Sequence, residues 1–184
     1  MDTVNVSIVV GRPVEEVYAY LLDVANHAEF TDHYLVDWHL TRTDPVGVGA
    51  GARFRVKAPL QRFNWVGLNI VEADVPRRIV EVGAGGKFNR VKVEVVYTVT
   101  AAASAGAGAG SGAWAGPEAG AQAAERTEVS VGTRTEPATT SDRLMEVLGG
   151  RPWLRRKQTK ALKRLRSILE TGEGRGARPT VSGR

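Results

Sequence analysis

The chain predicts an α+β fold, a curved antiparallel sheet of about seven strands around a long C-terminal helix. Three observations point to it. An amphipathic stretch from about Arg151 to Glu170 is long enough to lie across a sheet. Most of what precedes it alternates apolar and polar residues at strand period. The order is one strand, short helices, a run of strands and then the long helix, which leaves that last helix to cover the sheet. A bent sheet wrapped around one helix leaves room for a cavity.

Val4, Val6, Ile8 and Val10 alternate with Asn5 and Ser7, which predicts a half-buried strand. Gly11-Arg12-Pro13 ends it. Pro13 suits the first helical position, and Glu15 and Glu16 fall in the first turn, where the helix dipole favours acids. Val14, Val17, Tyr18, Leu21 and Leu22 recur at helical spacing, so a helix runs from about Pro13 to Leu22. Asp23 to Asp32 reads as a second short helix or a turn, anchored by Phe30. Strands follow over Leu35–Arg42, Ala52–Ala58, Phe63–Glu72, Arg78–Gly83, Arg90–Thr100 and Arg126–Glu136. They are separated by the Gly47–Gly51 turn, a bend at Pro59–Arg62, the Asp74-Val75-Pro76-Arg77 turn and a Gly-rich hairpin at Ala84–Asn89.

Ala101 to Ala124 holds 12 Ala and six Gly among 24 residues, with Trp114 its one large apolar side chain. Such a stretch buries too little surface to offset ordering, so residues 101–125 are expected to form a flexible insertion between paired strands. Thr139 to Leu148 predicts a helix, with Thr140 or Ser141 as cap, interrupted by Gly149, Gly150 and Pro152. Leu154, Ala161, Leu162, Leu165, Ile168 and Leu169 form the apolar stripe of the long helix. The expected organisation is one domain over residues 1–171, followed by a disordered tail over 172–184.

The bulk properties exclude several classes. At 184 residues and 42% hydrophobic content the chain fits one globular domain with a sizeable core. No apolar run approaches the ~20 residues of a membrane span. The N-terminal residues lack the pattern of a secretion signal, so a cytoplasmic location is expected. With no Cys there is no thiol catalysis, disulfide or thiolate metal site. The net charge of +5 is concentrated in the last helix, where no acid falls between Val147 and Leu169.

Three stretches resemble the helix-grip fold of the START-like superfamily, and within it the polyketide cyclase/dehydrase-like branch. Arg12 to Asp23 resembles that branch's opening, where a strand meets a Pro-initiated helix. Val46 to Phe54 resembles its approach to the third strand. Glu72 to Ile79 resembles its turn between the fourth and fifth strands, where two prolines are usual and Val75 replaces one. The resemblance covers about Val4 to Leu169, the insertion excepted. It implies a cavity between sheet and C-terminal helix for a lipid, sterol, polyketide or hormone, with some members acting as cyclases and others only binding or carrying. It transfers no catalytic residue to this chain.

The resemblance, with Ile70 matched to the inward position of the family's fourth strand, points Leu68, Val66 and Asn64 inward as well. Phe54, Val56, Val93, Val95 and Tyr97, with Phe30, Tyr34 and Trp38, complete the expected ligand-binding wall. The alternative is that these side chains simply fill the interior, since cores and apolar pockets share a composition. Asn64 differs, because a polar group inside an apolar wall needs a hydrogen-bond partner, and a ligand oxygen, a water or a backbone group would serve.

His27, His33 and His39 sit six residues apart, a spacing that turns a helical side chain by ~240°, so neighbours do not share a face. They are expected at the surface or in loops, with no metal site and no cofactor. His33 is the first candidate for proton transfer, with His39 and Arg53 beside it. Glu81, Glu94 and Glu128 alternate with the Val faces and are expected as an outward, solvated row with Lys92 and Arg134. If they faced inward, a pair could instead do acid–base work.

Three functions remain. The first is binding or transport of a hydrophobic, lipid- or polyketide-like molecule in the cavity. The second is a cyclase or dehydratase acting on a polyketide-like chain. The third is an adaptor docking an anionic membrane or nucleic acid through the basic helix, against which the default is a solvated face.

Overall fold

The computed structural model describes residues 3–58, 64–102, 126–136, 150–179 and 181. The predicted bend at 59–62, nearly all of the Ala/Gly insertion, the helix expected over 139–148 and residues 182–184 lie outside the described residues.

The observed elements are β1 (Val4–Val10), α1 (Val14–Leu22), α2 (Val24–Thr31), β2 (Leu35–Leu40), β3 (Gly51–Val56), β4 (Trp65–Asp74), β5 (Arg78–Gly85), β6 (Val91–Ala101), β7 (Thr127–Glu136) and α3 (Arg151–Thr171). The strands form one antiparallel sheet in the order β1-β7-β6-β5-β4-β3-β2. The fold is α+β, of helix-grip type. The consecutive strands β1 and β2 stand at opposite edges, so the α1–α2 pair has to carry the chain from one edge to the other. No helix among the described residues is long and apolar enough to cross a membrane.

Local chemistry explains the boundaries. Pro13 immediately precedes α1, one position earlier than its expected place inside it. Asp23 breaks α1 from α2, because its extended backbone stops the first helix while its carboxylate accepts the Ala25 N–H at 3.0 Å and caps the second. Gly172, in the left-handed conformation, closes α3 by donating its N–H to Ile168 O.

Gln158, Ala161, Leu162, Leu165, Ile168 and Leu169 are the buried face of α3. They pack on β1 and α2, while Val10, Val17, Leu21, Ile70, Ile79, Val99 and Val129 are almost wholly buried in the same core. On the far side of α3, Arg155, Arg156, Lys160 and Lys163 are exposed. Arg164 instead pairs with Asp32, and Arg166 lies 3.2 Å from Glu170. Residues 172–179, expected as a disordered tail, lie along α2. Arg175 approaches Glu29 at 3.9 Å, Gly176 N–H donates to Glu29 O, and Arg178 meets Asp23 and Asn26. Arg175 and Arg178 thus find carboxylates on α2 and at its N-cap.

The sheet is tightest between β4 and β5. A Cβ on Gly83 would stand 1.7 Å from Gly67 O, whereas a Cβ on Gly67 would meet nothing within 4 Å. Gly83→Ala should therefore lower stability by about 2–3 kcal/mol, while Gly67→Ala should stay within about 1 kcal/mol of the parent. Urea unfolding of the two variants checks this, and equal effects would contradict the close approach.

Candidate functional site

Alternation on the strands decides which side chains enter the concave face. Phe54 of β3, Leu68 of β4, Glu81 of β5, Val95 and Tyr97 of β6 and Val131 of β7 point there. Opposite them stand His27, Phe30 and Thr31 of α2, Tyr34 just after it, and Gln158, Ala161 and Leu162 of α3. Between these layers lies a cavity of about 60 Å³. That is room for a few waters or the end group of a larger molecule. Leu35 and Trp38, both only partly buried, form its outer rim.

Of the residues expected to bind ligand, Phe30, Tyr34, Trp38, Phe54, Leu68, Val95 and Tyr97 come together around this space. Val56, Val66 and Val93 are partly buried beside the core and stand outside the lining. Asn64 is half-buried and also outside it, and its carbonyl accepts the Val56 N–H at 2.8 Å. The extrapolation along β4 from Ile70 runs one residue past the strand, which begins at Trp65.

None of the proton-transfer candidates reaches the cavity. His33 Nε2 lies 3.1 Å from Lys157 O, so that nitrogen carries the hydrogen and ties the end of α2 to α3. Burial lowers the His33 pKa, and Lys160, Lys157 and Arg164 lower it further, against the raising effect of the carbonyl contact. His39 stacks on Trp65, and Arg53 lies 4.8 Å above the same indole. Arg53 is exposed and pairs across β2–β3 with His39, so both sit on the convex face.

Two residues depart from expectation, and they meet. His27, expected at the surface, is 3% exposed, and Glu81, expected in a solvated row, is also 3% exposed. His27 Nε2 lies 2.7 Å from Leu21 O, and its Nδ1 faces Glu81 Oε1 at 3.4 Å. A carbonyl only accepts, so Nε2 carries hydrogen, and the Nδ1–Oε1 contact is favourable only with a further proton between them. Burial raises the Glu81 pKa, partly offset by His27, so this carboxyl holds its proton above the usual carboxylate range. Glu94 and Glu128 differ, Glu94 half-buried and Glu128 exposed.

A signal for His27 was present, because it shares a helical face with Val24, Ala28 and Thr31, spaced i, i+3, i+4 and i+7. Comparing the histidines only with one another hid it. Glu81 carried no such signal. On β5, Val80 and Val82 look like the inward row, yet Val82 is 39% exposed, while Ile79 and Glu81 of the alternate row are buried along with Val80.

Further polar groups border the same space. Burial, and then the negative potential of Glu81, raises the pKa of Tyr34 and of Tyr97. Gln158 donates through Nε2 to Thr133 Oγ1, while its buried Oε1 has no partner. Among the described residues no three His, Asp or Glu side chains converge to hold a metal ion.

No family model matches this chain, and no curated protein matches it in sequence. Solved structures share its fold. DynU16, a protein in the dynemicin biosynthetic locus, matches with a TM-score of 0.55 at 20% identity, over 95% of this chain and 49% of its own. The chain thus spans about half the length of DynU16. KanY matches with a TM-score of 0.63 at 16% identity, over 92% of this chain and 97% of its own. A protein from Thermus thermophilus matches with a TM-score of 0.64 at 11% identity, over 94% of this chain and 99% of its own. At these identities the likeness establishes the fold.

The raised Glu81 pKa has a consequence for stability. An acid that holds its proton more tightly when folded contributes stability fully below its unfolded pKa, and loses it as pH rises through the native value. Glu81→Gln has no such proton to lose. The stability of this variant relative to the parent should therefore increase from about pH 4 to about pH 8, read by chemical unfolding. A difference that does not change with pH contradicts a protonated Glu81.

Proposed function

We propose that the protein binds a small, largely apolar molecule, lipid- or polyketide-like, in the cavity between the sheet and α3. The observation that carries this reading is the composition of the cavity. Its wall is apolar and aromatic, and a few polar groups gather on the His27–Glu81 side. Binding sites have this make-up, with apolar contact supplying affinity and a few polar groups orientation. A buried ionisable pair beside such a space supports a functional site there. The fold shared with DynU16 and KanY supports the reading, and the provenance of DynU16 agrees with a product of a biosynthetic locus as ligand. At about 60 Å³ the inner space takes only part of such a molecule, so the remainder would lie past Leu35 and Trp38.

Native mass spectrometry of the purified protein, followed by denaturation and identification of the released compound, tests this. The expected result is one small molecule per chain. Ala161→Leu, which adds three carbons at the cavity wall, should abolish co-purification at a cost of about 1–3 kcal/mol in stability. Undiminished co-purification from the folded variant would place the ligand elsewhere.

The His27–Glu81 pair favours a second reading, an enzyme of cyclase or dehydratase type. A buried pair sharing one proton can give and take it within a space that orients a reactive chain. In that case the released compound, returned to ligand-free protein, should be recovered altered in mass or chromatographic position. His27→Gln should slow the change at least tenfold while binding persists. Recovery of the compound unchanged leaves the binding function alone.

A further inference from the structure

We propose that the inner end of the cavity is a recognition site for a neutral hydroxyl group, a phenol, enol or alcohol, and that it discriminates against carboxylates. The inference rests on the cavity reading above and adds the chemistry of the group that enters first.

An unanswered hydrogen-bond acceptor at the cavity wall points to a ligand that donates. Gln158 is 6% exposed and held by its amide nitrogen to Thr133, which fixes its direction. Its Oε1 is buried at the cavity wall with no donor to accept from. An acceptor left in this state costs about 1–3 kcal/mol, and a donor on the ligand recovers it. Across the space, Glu81 presents its carboxyl to the same cavity, with one oxygen turned to His27. Tyr34 and Tyr97, each with a hydroxyl, line the same space. The site therefore offers acceptors and donors together. A hydroxyl, which donates once and accepts twice, answers both. A hydrocarbon answers neither and leaves Gln158 Oε1 buried and unpaired. A carboxylate answers the tyrosines, but it carries a full negative charge into an apolar wall and offers Gln158 no donor. No Lys or Arg among the described residues lines the space to offset that charge.

Three probes separate the possibilities: phenol and toluene, of one size, and benzoate, with the neutral isostere nitrobenzene as its size control. Each is titrated at pH 7 against the full chain, with amide chemical shifts as readout. The expected result is saturable shifts at residues lining the cavity for phenol and toluene. Phenol should bind about five- to tenfold more tightly, and benzoate more weakly than toluene. Gln158→Met keeps the length of the side chain and removes the acceptor. It should bring the phenol-to-toluene ratio close to one while toluene affinity stays within about twofold. Gln158→Leu serves if that variant does not fold, and it should likewise bring the phenol-to-toluene ratio close to one. Toluene binding as tightly as phenol would overturn the hydroxyl site and leave the apolar cavity standing. So would a phenol preference untouched by Gln158→Met. Benzoate binding as well as phenol would overturn the exclusion of carboxylates. Failure of all three probes to shift the cavity residues would overturn the cavity reading itself.

Discussion

The concave face of this sheet is wider than one helix can cover, and much of the structure follows from that mismatch. Seven strands spaced about 4.8 Å apart span about 29 Å, whereas a helix with its side chains is about 10 Å across. Curling narrows the gap without closing it. The chain meets the remainder with two helices placed by different means. α3 lies toward the β1 edge through its own apolar stripe, and α2 lies toward the β2 edge because the crossing from β1 to β2 must pass there. The middle strands therefore face the seam between two helices, and the cavity lies along that seam.

A seam of this kind is where polar groups can be tolerated inside a core. Glu81 stands on the central strand, where a fully packed layer would demand an apolar side chain. It persists because α2 brings His27 opposite, already oriented by its bond to Leu21 O. Replacing a buried pair by apolar side chains of the same volume is often neutral or stabilising, so the pair is weak evidence for a stabilising role. It is better evidence for chemistry at the cavity, as are the unanswered Oε1 of Gln158 and the two tyrosines nearby.

Legibility differed among these parts. The strand and helix pattern was readable because period and capping are local: Asp23, Pro13 and the 161–169 stripe speak for themselves. Seven of the eleven side chains expected at the ligand wall border the cavity, because apolar alternation already sorts a strand into two rows. The row on β5 was assigned to the wrong face, since alternation separates the faces without saying which is concave. The proton-transfer candidates were chosen by residue type, and type says nothing of direction. His33 turns to α3, and His39 and Arg53 stack on Trp65 outside.

By itself the sequence determined the class of fold, the order and approximate limits of the described elements, the apolar stripe of the last helix and the concentration of positive charge on it. These follow from interactions among residues near in the chain. Only the tertiary structure decided that His27 meets Glu81, that Gln158 takes an apolar position with half its amide unpaired, and that the arginines of residues 172–179 lie on α2. Each joins residues distant in sequence, and its sign depends on burial, which is a property of the packed layers and of no single segment.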